Sequence, residues 1–174
     1  MKRRKRRVQN STGVRLTLIL GSAVQGACAG LVGAAAMTLG EKIEQALTKR
    51  PDSYVPGRTL RTLLGRPVSD RAKPAAANVA MHWGTGALLG ALRGIWAMTG
   101  IRGGAANATH TVVRLAFDQT LENATGAGAP PSLWPVGEKT VDYLHKAVYS
   151  LVTGAAADRW IAPRLISRRG VRSH

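Results

Sequence analysis

LTLILGSAVQGACAGLVGAAAMTL, residues Leu16–Leu39, carries no charged side chain and only Thr17, Ser22, Gln25 and Thr38 as polar interruptions. At ~1.5 Å of rise per residue, a helix over this stretch spans ~36 Å, against a bilayer hydrocarbon core of ~30 Å. The segment therefore predicts a membrane-crossing helix. A cleaved signal peptide also pairs a basic start with an apolar run, but that run is ordinarily ~7–15 residues. The length here favours a retained span. Glu41–Leu47 extends the same helix with an amphipathic end.

Charge is segregated around this segment. The 174-residue chain has 25 Lys and Arg against 9 Asp and Glu, a formal net charge of +16. The basic residues gather in a head (residues 1–15), an Arg-rich loop (49–73, with Arg50, Arg58, Arg61, Arg66 and Arg71) and a tail (161–174). A mean hydropathy of −0.05 averages over blocks of opposite character and hides the apolar runs between them. A surplus this large points to an anionic partner. Only 5% of residues are aromatic, and the basic blocks flank apolar runs rather than forming a stacking platform. Anionic lipid headgroups are thus the expected partner, and nucleic-acid binding by a soluble or peripheral protein is the alternative. The excess of Arg over Lys, with abundant Ala and Gly, fits a GC-rich bacterial genome.

Three further helices are expected. Pro74–Leu92 is a second uncharged run, continued by Gly94–Ile101 past Arg93, which as a long side chain at a span end is expected to snorkel to the interface. Trp83 and Trp96, ~20 Å apart on a helix, suit anchors at opposite interfaces. Ala105–Leu121 has helical periodicity, as does Val136–Ala157, and a Gly/Pro loop at Asn123–Pro135 separates them. A short helical piece is expected near Arg58–Leu64. The fold class is all-α: a membrane bundle of about four helices, residues 16–160, between the basic head and tail. Lys and Arg placement favours both termini in the cytoplasm, with the head, Arg102 and the tail on the inner side. A layout with a re-entrant first segment remains open, and a homo-oligomer is compatible with either.

Small residues recur at four-residue spacing on two helices. Ser22, Gly26, Gly30, Ala34 and Thr38 form one row, and Gly86, Gly90 and Gly94 another. In lipid, where close backbone approach drives helix association, such rows are docking faces. Ser150, Gly154 and Asp158 form a weaker third row. Cys28, the one cysteine, excludes an intramolecular disulfide and reads as a small buried side chain.

Ionisable residues inside spans are costly and mark candidate sites. His110, Arg114, Asp118 and Glu122 share one helix stripe, in which Arg114 and Asp118 are spaced to pair. Glu138, Asp142, His145, Lys146 and Tyr149 make a similar stripe on the last helix. The first stripe reads as an amphipathic helix at the interface or facing a water-filled cleft, or else as a polar lining for an ion or substrate route; with Glu41, Glu44 and His82 the two stripes are candidates for a metal or proton-handling cluster near one membrane face. No H-E-x-x-H, C-x-x-C, P-loop or G-x-S-x-G pattern is present, so no catalytic residue and no cofactor is assigned.

Three stretches carry a resemblance: G-A-A-A-M-T-L-G-E (Gly33–Glu41), H-W-G-T-G-A-L-L-G-A-L-R-G (His82–Gly94) and E-K-T-V-D-Y-L-H-K-A-V-Y (Glu138–Tyr149). Together the chain resembles small bacterial inner-membrane proteins of a domain-of-unknown-function type. The resemblance implies a multi-span membrane protein and points to Glu41, His82, Glu138 and His145. A non-enzymatic bundle, transport-like or assembling, is the expected function. A membrane enzyme built on the polar cluster is the rival.

Overall fold

The structure is a computed structural model that describes residues 2–167, with side chains over 12–167. The basic head and tail of the sequence thus lie largely outside the described side chains. Five α-helices and one 3-10 turn follow in order, with no strand among the described residues: α1 (Lys2–Thr48), α2 (Val55–Leu63), α3 (Ala75–Thr99), α4 (Gly103–Ala124), the 3-10 turn Pro131–Leu133, and α5 (Val136–Trp160). The fold is all-α. α1 runs unbroken through the apolar stretch to Thr48, where Lys49 takes a left-handed φ of 61° and Pro51 follows. α3 stops at Gly100, whose φ of 93° lets its N–H and that of Ile101 turn back onto Ala97 and Trp96 carbonyls.

α1 packs on α3 and α5, α4 packs on α5, and α2 leans on α3. The registers make the four long helices alternate in direction. Gly26 on α1 faces Gly90 and Gly94, whereas Gly30 faces Gly86 and Gly90. A Cβ placed on Gly30 would lie 2.8 Å from the Gly90 Cα, and one on Gly94 would lie 2.7 Å from the Gly26 Cα. The two backbones touch without side chains between them, the close approach that small residues permit. Gly33 provides a second such face toward α5, where a Cβ would lie 2.8 Å from the Tyr149 carbonyl. Gly154 in turn accommodates the Asn107 side chain of α4.

Polarity is distributed inside out. The largest fully buried side chains are Arg93, Tyr149, His110, Thr59, Thr153, Ser22 and Ser150, every one polar. The apolar interior consists of two small clusters, one around Ala29, Ala97, Met98, Ala157 and Ile161, the other around Ala34, Met37, Leu89 and Tyr149. Large aliphatic side chains face outward instead: Leu16, Leu20, Val24 and Leu39 on α1, Leu88 on α3, Val112 on α4, Leu144 and Leu151 on α5. The buried face of α4 is Ala106, His110, Arg114 and Asp118.

Three sequence expectations need correction. Cys28 is exposed, because Gly26, Ala29 and Gly30 take the inward positions of that turn and leave residue 28 on the outer face. Arg93 does not snorkel: it is fully buried, since Asp158 and Asn107 provide it with anionic and neutral acceptors inside the bundle. Trp96 turns inward, edge-on to His110 with ring centroids 5.8 Å apart, and so is no simple interfacial anchor.

Candidate functional site: a polar chamber at one end of the bundle

α1 and α4 end, and α3 and α5 begin, at the same end of the bundle. There their polar stripes line a chamber of about 340 Å³. Glu41, Asp118, Glu122, Glu138 and Asp142 line it, more than half of the chain's 9 acidic residues. Of the described Lys and Arg, only Arg50, Arg114 and Lys146 do so. The chamber thus carries an acidic surplus within a strongly basic protein. A second lobe of about 320 Å³, floored by Thr38, Asn78 and Trp83, shares Glu41, Arg50 and His82 with the first.

Within the chamber each strong base already has an acid. Arg114 Nε donates to Asp118 Oδ2 at 2.8 Å, the pairing their four-residue spacing predicts. Lys146 Nζ, almost fully buried, donates to both carboxylate oxygens of Asp142 at 2.6 and 2.7 Å and lies 3.6 Å from Asp118. Arg50 is held bidentately by Glu44 and stands 3.6 Å from Glu138. The Glu44 hydrogen bond raises the Arg50 pKa above its ordinary value. Nearby, the Lys42 ammonium, 2.6 Å from Asp52, lowers that carboxyl below its usual range. Glu44 is thereby turned away from the chamber, although the sequence grouped it with the cluster. The Glu41 and Glu122 side chains line the chamber without a hydrogen bond or ion pair among the described residues.

The histidines divide. His82 Nε2 lies 2.9 Å from Thr38 Oγ1, whose own proton goes to the Ala34 carbonyl, so the imidazole N–H is the donor to the hydroxyl oxygen. His82 and His145 both line the chamber. His110 and Tyr149 do not: they lie deeper, where His110 Nε2 donates to the Leu89 carbonyl at 3.0 Å. Tyr149 donates to the Gly86 carbonyl at 2.7 Å, and the Arg114 guanidinium stacks 4.6 Å from its ring centroid. Among the described residues no group of three or more His, Cys, Asp and Glu is placed to hold a metal ion.

Sequence periodicity located Arg114, Asp118, Glu122, Glu138, Asp142, His145 and Lys146, their placement as polar residues in or beside apolar runs added Glu41 and His82, and the structure brings these to one chamber. Arg50 and Trp134, on loops, also line it and have no periodic signal. Missed as a site is the opposite end, where Arg93, Arg102, Asn107 and Asp158 form a second polar network. Only the four-residue step from Gly154 to Asp158 hinted at it.

Tyr149→Phe tests the central cross-link. It leaves the buried Gly86 carbonyl without this donor, so the expected result is a loss of ~1–2 kcal/mol and an unfolding midpoint lower by a few degrees. An unchanged midpoint in detergent would show that the hydroxyl contributes nothing. The chain matches no protein-family model, no curated protein and no solved structure.

Proposed function

We propose that this chain is a multi-pass membrane protein in which α1, α3, α4 and α5 cross the bilayer and enclose a solute-binding chamber of transport-like type at one membrane face. One observation carries this reading: the described molecule buries Arg93, His110 and Tyr149 completely while presenting leucines and valines outward along all four long helices. In water that distribution discards hydrophobic stabilisation and adds desolvation cost, whereas in lipid it places each group in its preferred surroundings. Among the described residues one helix meets the length and hydropathy requirement for a crossing by itself, within Thr12–Thr48. The others gain their place through partners, because their polar residues point at one another. The uninterrupted course of α1 supports a full crossing over a re-entrant segment. Arg-rich α2 with exposed Leu63 and Leu64 lies at the chamber end, where it meets anionic headgroups. Both termini are then cytoplasmic, and the chamber opens on the opposite face.

The test uses the native cysteine. Cys28 sits outward near the middle of the apolar stretch. In sealed vesicles it should resist a membrane-impermeant maleimide applied from either side and react with a lipid-soluble one. Alkaline carbonate should leave the protein in the pellet. Reporters after Gly65 and Gly128 should fall on one side and one after Gly104 on the other. Full labelling by the impermeant reagent together with release into the supernatant would overturn the reading.

A further inference from the structure

The outward face of α1 carries one side chain that lipid does not accommodate. Gln25 is exposed, nine residues and ~13 Å along the helix from Leu16, which puts it near the middle of a ~30 Å hydrocarbon core. Its amide makes no hydrogen bond among the described residues. A Gln side chain is too short to reach either interface from that depth, and an unpaired amide in hydrocarbon is costly. Four residues earlier, Gly21 is exposed too, and a Cβ added there meets nothing within 4 Å. Gly26, Gly30 and Gly33 each make room for a neighbouring helix of the bundle, whereas Gly21 makes room for nothing inside it. Cys28, Val32 and Ala35 continue the same exposed strip. An unmet amide and an unused glycine, one turn apart, thus share a face that the other helices leave open.

We propose that two copies of this chain pair through this face of α1, with their Gln25 amides bonded to each other across a twofold axis parallel to the membrane normal. A primary amide is donor and acceptor at once, so two related by symmetry complete each other, N–H to C=O in both directions. Both copies insert the same way, so the two α1 helices run parallel and Gln25 meets its counterpart at the same depth. Lipid tails offer neither donor nor acceptor, and the amide therefore favours a protein neighbour over them. Gly21 lets the two backbones close to the distance the amide pair needs, as Gly26 and Gly30 do on the inner side. The strip recurs at 21, 25, 28, 32 and 35, alternating steps of four and three, the period of a left-handed helix pair. This inference rests on the membrane reading, but not on what the chamber binds.

The experiment follows self-association of the full-length protein by sedimentation equilibrium in detergent and by oxidative cross-linking in vesicles. Iodine takes two electrons from a pair of thiols as they lose their protons, leaving a disulfide and iodide, and Cys28 is the one thiol of each copy. Wild type should sediment as a dimer and cross-link through Cys28, three residues from Gln25 on the same strip. Gln25→Leu keeps the side-chain size and should weaken association about tenfold, the value of an interhelical amide contact in lipid, with helicity unchanged. Gln25→Asn retains the amide and should keep most of the association. Gly21→Leu should weaken association as well, with each bundle still folded. A monomeric wild type, or a Gln25→Leu protein that associates and cross-links as well as wild type, would overturn the inference. Carbonate extraction judges the membrane reading: release from the membrane overturns that reading and the pairing with it, whereas a pelleted but monomeric protein overturns the pairing alone.

Discussion

Gly30→Leu is expected to abolish the folded bundle, while Gly21→Leu leaves it intact. At position 30 any Cβ would lie 2.8 Å from the Gly90 Cα and against the Gly86 carbonyl, both rigid backbone. No rotamer relieves such a clash, so α1 and α3 must separate along the whole Gly26–Ala34 face. Overpacking of ordinary cores costs ~1–3 kcal/mol. Here the cost should reach the top of that range or exceed it, because separation also forfeits the contacts of Ser22, Gly26 and Ala34 with α3. Gly21 has open space around its added Cβ. Its substitution controls for side-chain size and for the change in helix propensity. Thermal unfolding and size-exclusion profiles in detergent are the readout. Equal behaviour of the two variants would show that α1 and α3 are not docked through their glycines.

The second large effect belongs to the far end of the bundle. Asp158→Leu should destabilise by ~3–5 kcal/mol, the usual consequence of leaving one member of a buried ion pair alone. Arg93 is fully buried, and its Nη2 donates to Asp158 Oδ2 at 2.9 Å. The same carboxylate oxygen accepts the Gly103 N–H at 2.9 Å, closing the first turn of α4. Arg102 holds the chain from the other side, through the Asp158 and Ile161 carbonyls. Adding Arg93→Met to Asp158→Leu should recover most of the loss, since no unpaired charge then remains inside. A double variant as unstable as the single one would place the effect in the α4 cap instead, and a comparison with Asp158→Asn, which keeps an acceptor for Gly103, would separate the two.

Both predictions follow from a bundle held by backbone contact and buried polar pairs rather than by a broad apolar core. That construction explains why the chamber can exist. Helices docked through Gly26, Gly30, Gly86 and Gly90 stand close in the middle, so their polar stripes converge beyond the glycine ladder. There Arg114, Asp118, Asp142 and Lys146 neutralise one another in pairs. Glu41 and Glu122 are left over, and their side chains line the chamber without an ion pair among the described residues.

Much of this was legible from residue spacing. Leu16–Leu39 announces one long apolar helix, and the structure keeps it as the central element of the bundle. Four-residue recurrence identified the Ser22–Ala34 and Gly86–Gly94 faces, because a helix puts such residues on one stripe whatever surrounds it. The same rule found the pairing of Arg114 with Asp118. Periodicity is a local property, and these are its direct products. The sequence could not say which stripe faces which. Cys28 appears buried by its small neighbours, yet only docking of α1 through Gly26 and Gly30 determines that residue 28 faces out. Arg93 looks like a residue escaping to an interface until α5 brings Asp158 to it across 65 positions of sequence. Arg50 enters the chamber from a loop with no periodic signal. The sequence by itself determined the helices, their small-residue faces and their polar stripes, since each depends on the 3.6-residue turn. The tertiary structure alone decided the partners of Arg93, the isolation of Glu41 and Glu122, and the chamber between them. Those depend on distances between helices, which no local spacing encodes.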